Sequence, residues 1–145
     1  MKQEKSCGAV IFRDDENGRR FYLILTSVKG HVTLCKGHVE KKETEHETAV
    51  REIREETGLT VEFIDGFREV ITYSPRPGHI KDVVFFLARA AEGKLVCQPE
   101  EVADARFLPF DTALERLTHL SDRETLEAAE AFLGPRSSLI SDRIS

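Results

Sequence analysis

The chain lacks the features typical of membrane proteins and of disulfide-rich secreted proteins. It has no tryptophan, one methionine and three widely spaced cysteines, none of them in a CxxC pair. An odd, scattered set of cysteines argues against a disulfide framework or a zinc site and favours reduced thiols in the cytoplasm. No apolar run approaches the roughly 18 residues that a membrane span needs. We therefore expect no signal peptide, no membrane partner and a cytoplasmic protein.

A basic excess is also missing. The net charge is −5, so a broad electrostatic surface for long RNA or DNA is not expected. The 145 residues, 40% hydrophobic and 32% charged, fit one globular domain. We predict a single domain over residues 1–134 and a loosely ordered tail over 135–145. Nothing in the composition indicates the oligomeric state.

The most informative stretch is the charged segment 37–59. Thr44 with Glu47 three residues later forms the pattern of a capping box, which opens a helix. Gly58 stands where a left-handed C-terminal cap belongs, so the helix should end near Thr57. Between these ends, apolar residues recur at helical spacing: Ala49, Val50 and Ile53.

Three acidic residues, Glu52, Glu55 and Glu56, should share one face of this helix. Like charges at this spacing repel, and acids in the last turns oppose the helix dipole, so something must offset the cluster. One interpretation is a solvated face in which Arg51 and Arg54 pair with the acids. The other is a divalent cation, because carboxylate oxygens suit Mg²⁺ or Mn²⁺.

The rest of the chain predicts a mixed sheet covered by helices on both faces, because strands flank the long helix and further helices follow. A connecting loop is expected over Pro99–Ala103. Residue patterns predict strands at Ser6–Phe12, Phe21–Val28, Lys81–Arg89 and Phe107–Pro109. They also predict a helix capped by Asp111, and a last helix that begins with a Ser121–Glu124 capping box and is stopped by Gly134-Pro135.

The segment 37–59 also resembles the Nudix box, in which Gly, Glu, Arg-Glu, Glu-Glu and Gly recur at set spacings. Every specified place is filled: Gly37, Glu43, Arg51, Glu52, Ile53, Glu55, Glu56, Gly58 and Leu59. The resemblance implies an α/β fold, the Nudix α/β/α sandwich with a central mixed sheet. It also implies a hydrolase that uses a divalent metal, Mg²⁺ or Mn²⁺, to cleave a nucleoside diphosphate linked to another group.

The resemblance further assigns roles to residues. Glu52 and Glu56 become metal ligands, and Glu55 becomes either a further ligand or the base that receives the water's proton. Which of the three acids removes that proton is left open. The Lys36 carbonyl becomes a further metal contact. A loop carboxylate often joins such sites, and Glu101 is the candidate, with its neighbour Glu100 as the alternative. Structural support falls to Gly37, Glu43, Arg51 and Gly58.

Outside the box, the run Lys36–Glu40 (KGHVE) resembles the asymmetrical diadenosine tetraphosphate (Ap4A) hydrolases, which release ATP and AMP. In that interpretation Lys36 and Lys81 bind phosphate oxygens, His38 adds a hydrogen bond and Tyr73 stacks on adenine. Plain surface or core roles are open for His38, Tyr73 and Lys81. The chain departs from the subfamily at three places: Val32 replaces a tryptophan, Cys35 a proline and Lys41-Lys42 a Pro-Gly pair.

Two alternatives to an Ap4A hydrolase remain. One is a Nudix enzyme for another substrate, such as nucleoside triphosphates, nucleoside diphosphate sugars or an RNA 5′ end. The other is a nucleotide-binding module without turnover. The partner we expect is a small nucleotide substrate.

Overall fold

The computed structural model describes residues 1–91 and 93–135. Within these residues the chain forms eight strands and three helices. In chain order these are β1 (Lys2–Asp14), β2 (Arg20–Ser27), β3 (Val32–Thr33), β4 (Cys35–His38), α1 (Glu45–Thr57), β5 (Val61–Phe63), β6 (Glu69–Tyr73), β7 (His79–Ala90), β8 (Val102–Pro109), α2 (Phe110–Arg116) and α3 (Leu120–Leu133).

All eight strands belong to one mixed sheet with β1 near its centre. On one side, β1 runs parallel to β7 from the pair Lys2–His79 to the pair Phe12–Arg89. On the other side, β1 pairs antiparallel with β2 and with β4. A parallel pair needs a long crossover, and the chain between β1 and β7 includes α1.

Helices cover both faces of the sheet. Alternate residues of a strand point to opposite faces, and β1 accordingly contributes Ile11 to one core cluster and Val10 to the other. The first cluster contains Ile53 of α1, and the second contains Leu126 of α3. The predicted α/β/α sandwich with a mixed central sheet is confirmed.

Helix α1 begins and ends where its sequence pattern predicts. Thr44 is the N-cap, with both halves of the capping box to Glu47 present, and Gly58 caps the C-terminus at φ 74°. The predicted apolar face is wrong at Val50, which is 41% exposed. The buried face is centred on Ala49 and Ile53, four residues apart, and Val50 is turned about 100° away from Ala49.

Strand β8 and helix α2 differ from the prediction. The strand begins at Val102 rather than at Phe107, because it pairs with β2 from Val102 to Pro109, with one irregularity at Thr26/Ser27. Its first two residues lie in the stretch expected to be a loop. Helix α2 then starts immediately after Pro109, which is its N-cap residue. Asp111 therefore lies inside the first turn, where its charge favours the helix dipole but does not cap.

The capping box predicted at Ser121 and Glu124 is also wrong. Helix α3 starts at Leu120 with His119 as the N-cap residue and no side-chain cap. The tertiary structure sets this start. Thr118 exchanges hydrogen bonds with Val32, donating its amide to the Val32 carbonyl (2.9 Å) and accepting the Val32 amide on Oγ1 (2.8 Å).

Helix α3 ends at Leu133 with Gly134 as its C-cap residue, as predicted. The loosely ordered tail predicted for 135–145 lies outside the described residues, apart from Pro135. None of the helices in the described ranges is both long and apolar enough to cross a bilayer.

Candidate active site

The candidate site lies where β4 passes along the acidic face of α1. Strand β4 is held from the other side by β1, with Gly37 opposite Cys7. A Cβ at Gly37 would fall closer than 3.0 Å to the carboxyl group of Glu52, a distance that real contacts do not show. Glycine is therefore required at this position if the strand and the Glu52 carboxylate are to approach so closely.

An ion pair ties the loop before α1 to the helix. Arg51 donates from Nε to Glu43 Oε2 (2.7 Å) and from Nη2 to Glu43 Oε1 (3.0 Å). Glu43 also accepts from the Thr48 hydroxyl and from the Glu40 amide. The pKa of Glu43 is lowered to about 2, mainly by the hydrogen bonds from Arg51. The predicted pairing of Glu43 with Arg51 is present.

The same guanidinium reaches into the acidic cluster. Arg51 Nη1 donates to Glu52 Oε2 (2.9 Å) and lies 3.2 Å from Glu55 Oε1, and Nη2 donates to the His38 carbonyl (2.9 Å). Part of the repulsion among the acids is therefore offset by Arg51, as the solvated-face interpretation expects.

The acids line a cavity of about 390 Å³, which we call the acidic cavity. Glu101, from the loop before β8, joins the three acids of α1 in this lining, whereas Glu100 does not. Five carboxylates face only three cationic side chains. The lining consists of Ser6, Lys36, Gly37, His38, Glu40, Arg51, Glu52, Glu55, Glu56, Lys81 and Glu101.

Two of these carboxylates, Glu52 and Glu56, have a raised pKa. Burial raises the pKa of Glu52, and Arg51 opposes this shift. Burial also raises the pKa of Glu56 to about 7, and the charges of Glu52 and Glu101 add to the shift. The Cys35 thiol, which donates to Glu56 Oε1 at 3.2 Å, opposes it. Nothing in the sequence pattern indicated this contact of Cys35.

A second cavity of about 220 Å³ adjoins the first, and we call it the Tyr73 cavity. Lys36 borders both cavities. Lys81 lines the acidic cavity and sits opposite Tyr73 in the pairing of β6 with β7. The lining of the Tyr73 cavity is mostly apolar and aromatic: Lys36, Ile71, Tyr73, Val83, Phe85, His119, Ser121 and Asp122.

The four predicted substrate-binding residues are thus divided between the cavities. Lys36 and Lys81 line the acidic cavity together with His38, whose side chain is 65% exposed and lies 3.7 Å from Glu4. Tyr73 lies only in the second cavity, 44% exposed.

Several lining residues had no site role predicted from the sequence, among them Ser6, His119 and Asp122. Ser6 of β1 lines the acidic cavity, and its buried hydroxyl has no hydrogen-bond partner among the described residues. His119 and Asp122 line the Tyr73 cavity. A single serine, histidine or aspartate carries no spacing signal, so only strand pairing and the start of α3 could reveal them.

Comparison with known proteins decides the family. Residues 3–129 match the family described as the NUDIX domain. The chain belongs to the Nudix family. A mouse protein named bis(5′-nucleosyl)-tetraphosphatase (asymmetrical) is 31% identical over 140 residues, which cover 89% of this Nudix chain and 95% of the mouse protein.

Solved Nudix structures agree with this fold. The C. elegans Ap4A hydrolase in a binary complex superposes with a TM-score of 0.81 at 26% identity, covering 90% of this chain and 97% of that one. The E. coli dihydroneopterin triphosphate pyrophosphohydrolase superposes with a TM-score of 0.68 at 19% identity, covering 88% and 97%, which supports the fold alone. The prediction of a Nudix hydrolase is confirmed at the level of the family.

Nudix enzymes generally use divalent metal ions. The carboxylate oxygens of this site are the type of donor atom that such an ion prefers. Within the described parts of the chain, no group of three or more His, Cys, Asp or Glu side chains is already arranged to hold a metal ion. Arg51 engages Glu52 and Glu55, and Cys35 engages Glu56. The surplus of partly buried carboxylates would nevertheless be relieved by a hard cation, which carboxylate oxygens prefer.

Proposed function

We propose that the protein is a divalent-metal-dependent pyrophosphohydrolase that cleaves a dinucleoside tetraphosphate asymmetrically, as Ap4A to ATP and AMP. The observation that carries the proposal is a pair of cavities that share Lys36 in their linings, one lined by five carboxylates and the other lined by Tyr73. The similarity to the mouse tetraphosphatase and the C. elegans Ap4A hydrolase supports the same substrate.

In this proposal the α1 carboxylates Glu52, Glu55 and Glu56, together with the Lys36 carbonyl, hold the cation, Mg²⁺ or Mn²⁺. When bound, the cation neutralises the phosphate chain and makes the attacking water more acidic. The water oxygen bonds to a phosphorus atom, and its proton passes to a carboxylate of α1 or to Glu101. The phosphoanhydride bond on the far side breaks, and the remaining nucleotide leaves.

Substrate binding would use the positive and aromatic side chains around the carboxylates. Lys36 and Lys81 bind phosphate oxygens as point charges, and His38 adds a hydrogen bond from the rim. Tyr73 stacks on a base, because every base has a π face. The partner is thus a small nucleotide, with no role for long nucleic acid or a membrane, and a cytoplasmic location remains part of the proposal.

The remaining Nudix-box residues would act as support. The Glu43–Arg51 pair holds the loop against α1 through two hydrogen bonds, and Arg51 orients Glu52 and the His38 carbonyl. Gly37 keeps the approach to α1 open, while Gly58 ends the helix.

The test is a panel of nucleotides incubated with Mg²⁺, with the products separated by chromatography. We expect ATP and AMP from Ap4A, at a rate above those for nucleoside triphosphates and ADP-ribose. Faster cleavage of either of those would contradict the proposal and favour another Nudix substrate.

Variants of the acids separate an enzyme from a binding module. Glu56→Gln and Glu101→Gln should abolish or strongly reduce turnover, whereas Glu100→Gln is the matched control because Glu100 does not line the cavity. Wild-type protein that binds Ap4A without releasing any product, over a range of Mg²⁺ and Mn²⁺ concentrations, would establish the binding module instead.

A further inference from the structure

The Tyr73 cavity has the form of a site for a nucleobase, an interpretation that rests on the proposed function. Tyr73 of β6 and His119 at the N-cap of α3 supply rings on which a base can stack, and Val83 and Phe85 of β7 supply apolar walls. Lys36 joins this cavity to the acidic cavity. A nucleotide whose base lies here therefore directs its phosphates towards the carboxylates.

One group in this lining has not been given a role. Asp122 lies in the first turn of α3 and is only 3% exposed. Of the described residues, only Leu34 donates a hydrogen bond to the carboxylate, from its backbone amide to Oδ2 at a long 3.4 Å. An ionised carboxylate accepts about four hydrogen bonds. Most of this acceptor capacity is therefore unused on a side chain that is almost fully buried.

We propose that Asp122 selects the base in the Tyr73 cavity and that the base it selects is guanine. Among dinucleoside tetraphosphates, those with guanine in this cavity would then be preferred over Ap4A, whose two bases are both adenine. Guanine presents two adjacent donors, N1–H and N2–H, which match the two oxygens of a carboxylate. Adenine presents one donor, at N6, beside the acceptor N1, which a carboxylate repels. A site built around buried hydrogen-bonding groups discriminates strongly against a ligand that leaves them unpaired.

A purely structural role for Asp122 is the competing explanation. An acid in the first turn favours the helix dipole, and the bond from Leu34 links α3 to the residue between β3 and β4. Such a role affects stability and the binding of every nucleotide alike. Only a side chain that hydrogen-bonds to the edge of the base changes the ratio of the affinities for two nucleotides with different bases.

The first experiment measures the binding of GMP and AMP by isothermal titration calorimetry. It is done at about pH 8, because burial raises the pKa of Asp122 above its ordinary value of 3.8 and the proposal needs the ionised carboxylate. We expect GMP to bind the wild type at least tenfold more tightly than AMP. Asp122→Asn replaces one acceptor with a donor, so the introduced side-chain amide matches the adenine edge, and the ratio should move at least tenfold towards AMP. Glu124→Gln, an exposed acid on the same helix, is the control and should leave the ratio unchanged.

Equal affinities for GMP and AMP in the wild type, or a ratio that Asp122→Asn does not change, would overturn the inference. Loss of affinity for both nucleotides by the same factor would assign Asp122 a structural role. Because these measurements need no turnover, they judge the inference even if the proposed function fails.

The second experiment uses the mixed substrate Ap4G with Mg²⁺. Asymmetric cleavage gives either AMP with GTP or GMP with ATP, depending on which base lies in the Tyr73 cavity. We expect the wild type to give one pair in at least tenfold excess and Asp122→Asn to shift the ratio at least tenfold towards the other. The same ratio from both proteins would overturn the inference, whereas no cleavage of any dinucleotide would overturn the proposed function.

Discussion

Replacing Glu56 by glutamine should stabilise the metal-free protein while removing its activity. Burial raises the pKa of this carboxyl to about 7 from its ordinary value of 4.5. Below pH 4.5 the group is protonated in both the folded and the unfolded chain. Between about pH 4.5 and 7 the unfolded chain is ionised at this group while the folded chain keeps the proton, so the free energy of unfolding falls as the pH rises through this window.

The magnitude follows from the two pKa values. A difference between about 7 and 4.5, at 1.36 kcal/mol per pKa unit, amounts to about 3 kcal/mol when the pH is above 7. Glutamine carries no charge at any of these pH values, and its amide oxygen can still accept from the Cys35 thiol. Glu56→Gln should therefore raise the free energy of unfolding by up to about 3 kcal/mol near pH 8 and by little near pH 4.

The assay is urea unfolding with a metal chelator, followed by circular dichroism because the chain has no tryptophan. Glu55→Gln is the matched control, since it makes the same chemical change one residue away on a side chain that is 42% exposed. That change should cost at most about 0.5 kcal/mol, through the lost pair with Arg51. If Glu56→Gln has the same pH dependence of stability as the wild type, the burial argument is wrong.

Three further predictions concern the surroundings of the acids. Gly37→Ala should lower kcat by about a hundredfold, because Glu52 must move by roughly 1 Å or more. Gly93→Ala is the control and should keep the wild-type kcat, since its added carbon meets nothing closer than 3.8 Å. Equal steady-state rates for the two variants would contradict this prediction. Arg51→Lys should lower the free energy of unfolding in urea by about 1–3 kcal/mol, because lysine lacks the fork that binds Glu43 twice; an unchanged midpoint would refute it. Ser6→Ala should leave that free energy unchanged or raise it, since the buried hydroxyl has no partner in the described residues, and a clear loss would show a hidden bond.

Local patterns were sufficient for α1 because its ends are determined by neighbours in sequence. The capping box at Thr44 and the left-handed Gly58 both depend on contacts within a few residues. The pairing of Glu43 with Arg51 could also be predicted, since both belong to the Nudix box, which specifies their spacing. Val50 was misassigned because an apolar residue at the border of a helix face is buried only if the sheet extends that far.

Patterns failed where distant segments decide the structure. Strand β8 is longer than its apolar core because β2 offers it a partner along its whole length. Helix α3 starts one residue before Ser121 because the chain ahead of it is bonded to Val32. Both cases depend on pairings between segments far apart in the chain, which no local rule contains.

The sequence by itself determined that three acids share one face of a capped helix beside a glycine, since helical periodicity and spacing act over a single turn or two. The tertiary structure alone decided which other groups meet them. Pairing of β4 with β1 brings Ser6 to the acids, and the packing of α3 brings Asp122 to the cavity of Tyr73. These contacts join residues far apart along the chain, and only the folded sheet brings them within reach of one ligand.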